Sequence, residues 1–327
     1  MNNFDQTRNA GIISASGETY EYQYRTVSVS HFPELQEEIE SLRRKGQLCS
    51  SEIFQGYMGL MDYALPEDFQ DAQSVIIMAI AIRPMEINFQ FNGNRFSAFM
   101  PPNYYDAGLT GEILEDEVQK KIIQQAGCRV LRTRNRFHLK LLAARSGLGR
   151  YGRNNICYVD GMGSLLTLHT FLTDYRFEAD DWHEIQMMEL CQNCKICMKA
   201  CPGGAIRSDN FVIDVNRCIP LYNEIEGVLP DWIPADAHNA FMGCMKCQLP
   251  CPANREPLKR AGQFEEITEE ETRQFLSGEP EENVILSVSR KIRMPRLALS
   301  KEMVEVASRN IGALLPRYEG AKENMEW

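Results

Sequence analysis

Eight of the chain's eleven cysteines fall between residues 191 and 251 in two proline-terminated runs, and no other feature restricts the fold so strongly. "CQNCKICMKACP" places Cys191, Cys194, Cys197 and Cys201 at the spacing C-x2-C-x2-C-x3-C-P. That is the spacing of cubane ligation in two-cluster ferredoxins, where the fourth cysteine serves the other cluster. Two-residue gaps wrap the backbone around one cluster face and aim three thiolates at three irons. The extra residue and the proline turn carry the fourth thiolate past. A second set is then required, and Cys218, Cys244, Cys247 and Cys251 supply it, the last again followed by proline. The crossed rule gives one [4Fe–4S] cluster on Cys191, Cys194, Cys197 and Cys251 and another on Cys201, Cys218, Cys244 and Cys247, with no ligand left over. Zinc ribbons also use C-x2-C pairs, but they do not usually require two proline-terminated C-x3-C endings. Cys49, Cys128 and Cys157 lack metal spacing and read as buried small apolar residues.

Two clusters make a wire, and a wire needs a terminus where its electrons are used. The first 180 residues are too many to be packing alone, in a chain whose 44% hydrophobic and 24% charged content is that of a globular protein. No apolar run reaches the roughly 18 residues that span a bilayer. "MNNFDQTRNAG" has no basic segment leading into an apolar one, so no membrane association and a cytoplasmic location are expected. A reducing compartment favours metal binding over disulfides for clustered cysteines.

The net charge of −10 argues against a general coat for nucleic acid, but the charge is segregated. Residues 118 to 159 hold no Asp or Glu and ten bases: Lys120, Lys121, Arg129, Arg132, Arg134, Arg136, Lys140, Arg145, Arg150 and Arg153. The rest of the chain is left at −20. Such a run reads either as a solvated basic face or as a surface for an anionic ligand.

"ETYEYQYRTVSVS" alternates Tyr20, Tyr22 and Tyr24 with polar residues and predicts a strand. "FPELQEEIESLRRKG" predicts a helix, with Pro33 in its first turn and Gly46 at its C-terminal end. The β-branched run "SVIIMAIAI" predicts a strand buried on both faces of a mixed sheet. Residues 86 to 110 read as a long loop around short elements, and helices are expected from Gly111 to about Gln125 and from Phe137 to Arg145. Two apolar runs around Asp160-Gly161 predict a hairpin. Thr268 three residues before Glu271 signals a capping box, and Ser300 reads as a further N-cap. The expected domains are 1–180 for cofactor and substrate, 181–257 for the clusters, and 258–327 as a C-terminal helical segment.

"SGLGRYGRNN" contains Gly147, Gly149 and Gly152 in the pattern G-x-G-x-x-G. It follows a helical run rather than a strand, which argues against a dinucleotide fingerprint. A loop whose backbone closely approaches a flat or anionic cofactor is the reading kept.

"LAARSGLGRYGRNN", "HTFLTD", "CQNCKICMKACPGGAI", "NRCIPLYNE" and "GCMKCQLPCPANR" together resemble the epoxyqueuosine reductase family and, more distantly, the corrinoid reductive dehalogenases. The resemblance runs in order over about residues 140 to 255. It implies an α+β fold, with a nitroreductase-like, mixed-sheet cobalamin domain followed by a two-cluster ferredoxin-like domain that reduces the cobalt. It implies removal of an epoxide oxygen from a modified tRNA base, with electrons from an external low-potential donor. By this carry-over Gly147, Gly149, Gly152, Asn154 and Asn155 would line the corrinoid, and the basic segment 118–159 would face its phosphate tail or tRNA phosphates.

The chain departs from the family at one place. The family's acid, which can donate the proton that reductive opening needs, aligns with Thr133 in "LRTRNRF". Candidate proton donors elsewhere are Tyr104, Tyr105 and Asp106 in the loop, and His138. Two other functions stand beside the reductase: a two-cluster electron carrier without corrinoid, and a dehalogenase-like reductase of another small molecule.

Overall fold

A computed structural model describes residues 9–208 and 211–315, so most of the N-terminal stretch on which the targeting reading rests lies outside the described residues. Two compact units form, each from two chain segments: residues 1–82 with 108–193, and 83–107 with 194–327. Compactness thus cuts across the expected segments 1–180, 181–257 and 258–327, because residues 83–107 join the C-terminal unit. The described strands, in chain order, are β1 (Ala10–Ala15), β2 (Glu18–Ser28), β3 (Ser74–Ala81), β4 (Met85–Phe91), β5 (Asn94–Met100), β6 (Val130–Arg132), β7 (Arg150–Tyr151), β8 (Cys157–Tyr158), β9 (Leu166–Thr173) and β10 (Gly262–Gln263).

In the first unit β1, β2, β3, β9 and β6 lie side by side in that order, and every neighbouring pair is antiparallel. β3 is the middle strand, and Ser74 to Ile80 are all buried, as a continuous apolar run requires. β1 and β2 are joined at Ser16-Gly17, both with positive φ (50° and 77°), the backbone of a two-residue hairpin turn. The helix Phe32–Arg44 turns Phe32, Leu35 and Ile39 into a core shared with Phe69, Val75, Ile77, Phe137 and Leu142. Pro33 stands in its first turn and Gly46 beyond its end has φ 63°.

Three expectations need correction. The sheet is antiparallel rather than mixed; parallel pairing in named strands is confined to β10 beside β4 in the other unit. A buried apolar run shows that both faces are covered, but it does not fix the direction of the partner strands. The Asp160-Gly161 hairpin is only a turn, closed by a Val159–Gly163 bridge. β8 pairs with β7, while β9, apolar enough for a central position, pairs with β3 and β6. Residues 86–110 are not one long loop, since β4 and β5 form a hairpin around Asn92-Gly93 (φ 50° and 70°). Asn-Gly between alternating apolar residues is a strong hairpin signal, here with Ile87, Phe89, Phe96 and Ala98 buried.

The helix at Gly111 is capped by Thr110, whose hydroxyl accepts the Ile113 N–H, and its α-helical turns end at Glu117. It continues as a π-helix over Val118–Ile123 and stops at Gln124 in the left-handed region. The helix expected from Phe137 spans Leu139–Arg145. In the second unit three helices, Glu269–Ser277, Glu282–Lys291 and Lys301–Leu314, support the cysteine segment, whose own longest helix is Ile196–Ala200. The Thr268–Glu271 capping box forms, and the Ser300 hydroxyl accepts the Met303 N–H. Cys157 is buried as expected, whereas Cys49 and Cys128 are half-buried because they sit in surface loops.

Glu271 joins two of these helices. Its carboxylate accepts from the Thr268 N–H at 2.8 Å, the Ser287 hydroxyl at 2.7 Å and Lys291 Nζ at 2.6 Å. Burial alone would raise its pKa, but the bonds from Lys291, Ser287 and Thr268 outweigh it and hold the carboxyl below its ordinary range. Its stabilisation is present above the unfolded carboxyl pKa and is lost as pH falls through the lower folded value. Replacing Glu271 with Ala is expected to cost about 2–3 kcal/mol in urea unfolding at pH 7. The deficit should shrink in melts carried toward pH 3.

Candidate functional site

Three of the four cysteines assigned to the second cluster are held together by contacts within the second unit. Gly203, two residues after Cys201, lies against the backbone of Arg217, the residue before Cys218; a Cβ there would stand 1.9 Å from the Arg217 carbonyl oxygen. Arg217 Nε returns a 2.9 Å hydrogen bond to the Gly203 carbonyl, and its guanidinium lies over the Trp232 ring. Burial pushes the Cys244 thiol up to about 11, against the opposing Lys246 N–H. Tyr104 lies with its ring against Gly243, the residue before Cys244.

The sulfurs accept backbone amides, as cluster thiolates do. Ala205 N–H reaches Cys201 Sγ at 3.3 Å and Lys246 N–H reaches Cys244 Sγ at 3.4 Å. Asn239, 3% exposed, accepts the Met245 N–H at 3.1 Å and lies 3.9 Å from Cys244 Sγ. All eight cysteines are partly exposed. Among the described residues no three His, Cys, Asp or Glu side chains converge tightly enough for a single metal ion. The donor set fits an iron–sulfur cluster: thiolates, amide donors at sulfur, and loops that hold three ligands of one set together.

Cys191, close to the end of the first unit at Asn193, is tied to the glycine loop. Arg153 N–H donates to Cys191 Sγ at 3.4 Å, and the Arg153 guanidinium bonds the Cys191 carbonyl. Tyr151 pairs with the strand-like segment Gln186–Met188 through N–H···O bonds of 3.0 and 2.9 Å. The loop is thus stitched to the residues that lead into the first cysteine motif. No spacing rule marks Arg153, which in the sequence is one base among ten.

Of the five residues expected to line a corrinoid, three are used by the loop itself. A Cβ on Gly149 would stand 2.4 Å from Cys157 Sγ, and one on Gly152 would stand 2.5 Å from the Tyr158 ring. Asn154, 3% exposed, donates Nδ2 to the Tyr158 hydroxyl at 3.0 Å. These three positions make contacts within the loop itself. Gly147 (φ 69°) and Asn155 (φ 57°) stay at the loop's outer side, where Lys140 Nζ bonds the Asn155 carbonyl at 2.9 Å. A Cβ on Gly147 would stand 2.7 Å from the His183 ring, and Asn155 Oδ1 accepts from Lys140 Nζ at 3.1 Å.

The four candidate proton donors do not form one group. Tyr104 gives its hydroxyl to Glu224 within the second unit, and burial, followed by the Glu224 charge, holds the phenol well above its ordinary pKa. The Tyr105 hydroxyl bonds the Arg83 carbonyl at 2.8 Å, and its ring packs edge-on against Phe264, a structural role. Asp106 is exposed and its N–H bonds the Arg293 carbonyl. His138, in the first unit, pairs Nδ1 with the Tyr63 hydroxyl at 3.1 Å, and its Nε2 is buried with no hydrogen-bond partner. Burial, with Arg43 and Lys140, lowers its pKa to about 4, so near neutrality it is an uncharged imidazole. Thr133 Oγ1 lies 2.6 Å from Thr170 Oγ1 and makes a hydroxyl pair, not an acid.

Most bases of segment 118–159 have local partners. Lys120 pairs with Asp116, Arg136 with Asp62 and Arg145 with Glu38. Arg129 lies over Phe69, and Arg132 shares a 3.0 Å contact with His169 Nδ1. The segment is therefore largely a paired helix-and-loop surface, with Arg134 exposed on it.

Residues 190–254 match the family model described as a 4Fe-4S double cluster binding domain. An epoxyqueuosine reductase of Yersinia pestis is 34% identical over 131 residues, 40% of this chain and 29% of its own length. The chain thus matches under a third of that relative. A Bacillus subtilis epoxyqueuosine reductase structure, described with an aspartate-bearing catalytic loop swung out of its active site, superposes with a TM-score of 0.59 at 19% identity. It covers 91% of this chain and 78% of that one. Another, solved with an epoxyqueuosine-modified tRNA stem loop, gives 0.60 at 18% identity with the same coverages. The chain resembles these proteins in sequence around its cysteines and has their α+β fold, and its 190–254 segment carries the ligands of two [4Fe–4S] clusters.

Gly203 tests the convergence of the second set. Gly203→Ala forces its methyl onto a backbone carbonyl, an overpacking that costs about 1–3 kcal/mol. Anaerobic reconstitution of this variant is expected to yield roughly half the wild-type iron, measured by colorimetric assay.

Proposed function

We propose that this chain is a cobalamin-dependent iron–sulfur reductase of the epoxyqueuosine reductase type, acting in the cytoplasm on an epoxide in modified tRNA. The observation that carries the reading is the hydrogen bond from Arg153 in the glycine loop to Cys191, which supports a place of reduction close to the first cluster ligand. The crossed assignment, Cys191, Cys194, Cys197 and Cys251 for one cluster and Cys201, Cys218, Cys244 and Cys247 for the other, remains the ligand set. Converting an epoxide to an alkene and water takes two electrons and two protons. Two one-electron clusters hold that pair of electrons at once, filled by an external low-potential donor.

The corrinoid supplies a low-valent metal that can accept those electrons and act on the substrate. In this chain Gly147 and Asn155 would meet it from the outer side of the glycine loop, on a nitroreductase-like unit. Lys140 fixes Asn155 by bonding its carbonyl and side-chain oxygen. Arg153 holds its guanidinium against the Cys191 carbonyl and its N–H against the sulfur, and both stabilise added negative charge. The Thr133–Thr170 pair can orient a substrate oxygen but does not deliver a strong acid's proton. Exposed Arg134 is a base of the segment that can face RNA phosphate.

Two measurements test this reading. Anaerobically reconstituted protein is expected to co-elute with cobalamin on gel filtration and to convert an epoxyqueuosine-containing stem loop to queuosine when given a strong reductant. Cluster-loaded, corrinoid-bound protein that leaves the stem loop unchanged would reject this substrate. A corrinoid that elutes apart from cluster-loaded protein would leave the two-cluster electron carrier as the better reading. For the wiring, Cys218→Ala should remove about half the iron and spare the other cluster. Full iron content in that variant would overturn the ligand assignment.

A further inference from the structure

The chain after Cys218 and the chain before Cys244 are joined by one buried side chain. Asn223 is fully buried. Its Nδ2 donates to the Gly243 carbonyl at 2.6 Å, and its Oδ1 accepts the Gly243 N–H at 3.1 Å. One amide thus satisfies both backbone groups of a single residue, as a neighbouring strand would. The Asn223 carbonyl accepts from Asn310 Nδ2 at 2.8 Å, and the same nitrogen bonds the Phe241 carbonyl at 2.9 Å. Asn310, 1% exposed, belongs to the helix Lys301–Leu314. Beside it, Arg309 donates to the carbonyls of Tyr222 and Ile225.

Gly243 has little freedom left. Its φ is 69°, and a Cβ there would stand 2.8 Å from the Tyr104 ring, whose hydroxyl goes to Glu224, the neighbour of Asn223. The residue before Cys244 is therefore set by Asn223 on its polar edge and by Tyr104 on its Cα. Water does not reach this contact, so losing one partner leaves a buried polar group unsatisfied.

We propose that Asn223, keyed by Asn310, is a positioning residue for the second cluster: it fixes the Cys218 segment against Cys244 and so sets that cluster's retention and reduction equilibrium. The inference rests on the reading that Cys201, Cys218, Cys244 and Cys247 hold a [4Fe–4S] cluster. Groups around a metal site tune it by orienting its ligands, and cluster potentials respond to amide bonding and exposure. A side chain that only filled the core would leave those properties unmoved or disturb both clusters alike.

The test compares the full chain with Asn223→Ala and Asn223→Asp after anaerobic reconstitution, by iron and sulfide assay and EPR-monitored redox titration. Asn223→Ala is expected to lose about half its iron, with the remaining cluster titrating as in wild type. Asn223→Asp keeps the size and the acceptor for the Gly243 N–H but sets a carboxylate against the Gly243 carbonyl. It should keep two clusters, one shifted at least tenfold in its reduction equilibrium, about 59 mV for one electron. Folded variants with wild-type content and equilibria at both clusters, or with both altered alike, would overturn the proposal, as would failure of both variants to fold. Wild-type protein that takes up no cluster would instead remove the cluster reading, and the inference would fall with it.

Discussion

The contact between Gly203 and the backbone of Arg217 is the tightest constraint in the cysteine module, and the rest of that module depends on it. Cluster ligands sit on short turns, and the longest helix among them has five residues. Such turns have few backbone partners of their own, so other groups must supply them. Arg217 closes the first approach by bonding the Gly203 carbonyl. Buried asparagines close the others: Asn239 at Met245, Asn223 at Gly243, and Asn254 at the Gln248 carbonyl. Each spends an amide on a loop that regular structure does not reach.

The first unit solves a different problem. A five-stranded antiparallel sheet around the fully buried β3 gives a stiff platform, and the helix Leu139–Arg145 buries Leu141, Leu142, Ala143 and Ala144 beside it. The glycine loop leaves that helix, is packed internally by Cys157 and Tyr158, and reaches Cys191 through Arg153. Rigidity in the loop comes from its own packing, in which a side chain at 149 or 152 would collide with Cys157 or Tyr158.

Much of the site was legible as spacing. Two C-x3-C-P endings identify the clusters, because ligation fixes intervals along the chain and intervals survive in sequence. The helix at Phe32, the β3 run, the Thr268–Glu271 box and the Ser300 cap were legible for the same reason, since each is a local pattern. The roles of Tyr104, Glu224, Asn223 and Arg153 were not. Tyr104 and Glu224 are 120 residues apart, and no local period marks a pair made by folding. Asn92-Gly93 was readable as a hairpin, and the surrounding polar and proline residues obscured it.

By itself the sequence determined the cluster chemistry, the covered central strand and the helix caps, all of which depend on neighbours a few residues away. Only the tertiary structure decided the directions of the strands around β3, the use of Gly149 and Gly152 for internal packing, and the pairing of most bases in segment 118–159. Those outcomes depend on which distant groups fill the space beside a residue, and burial between segments far apart in the chain leaves no interval to count.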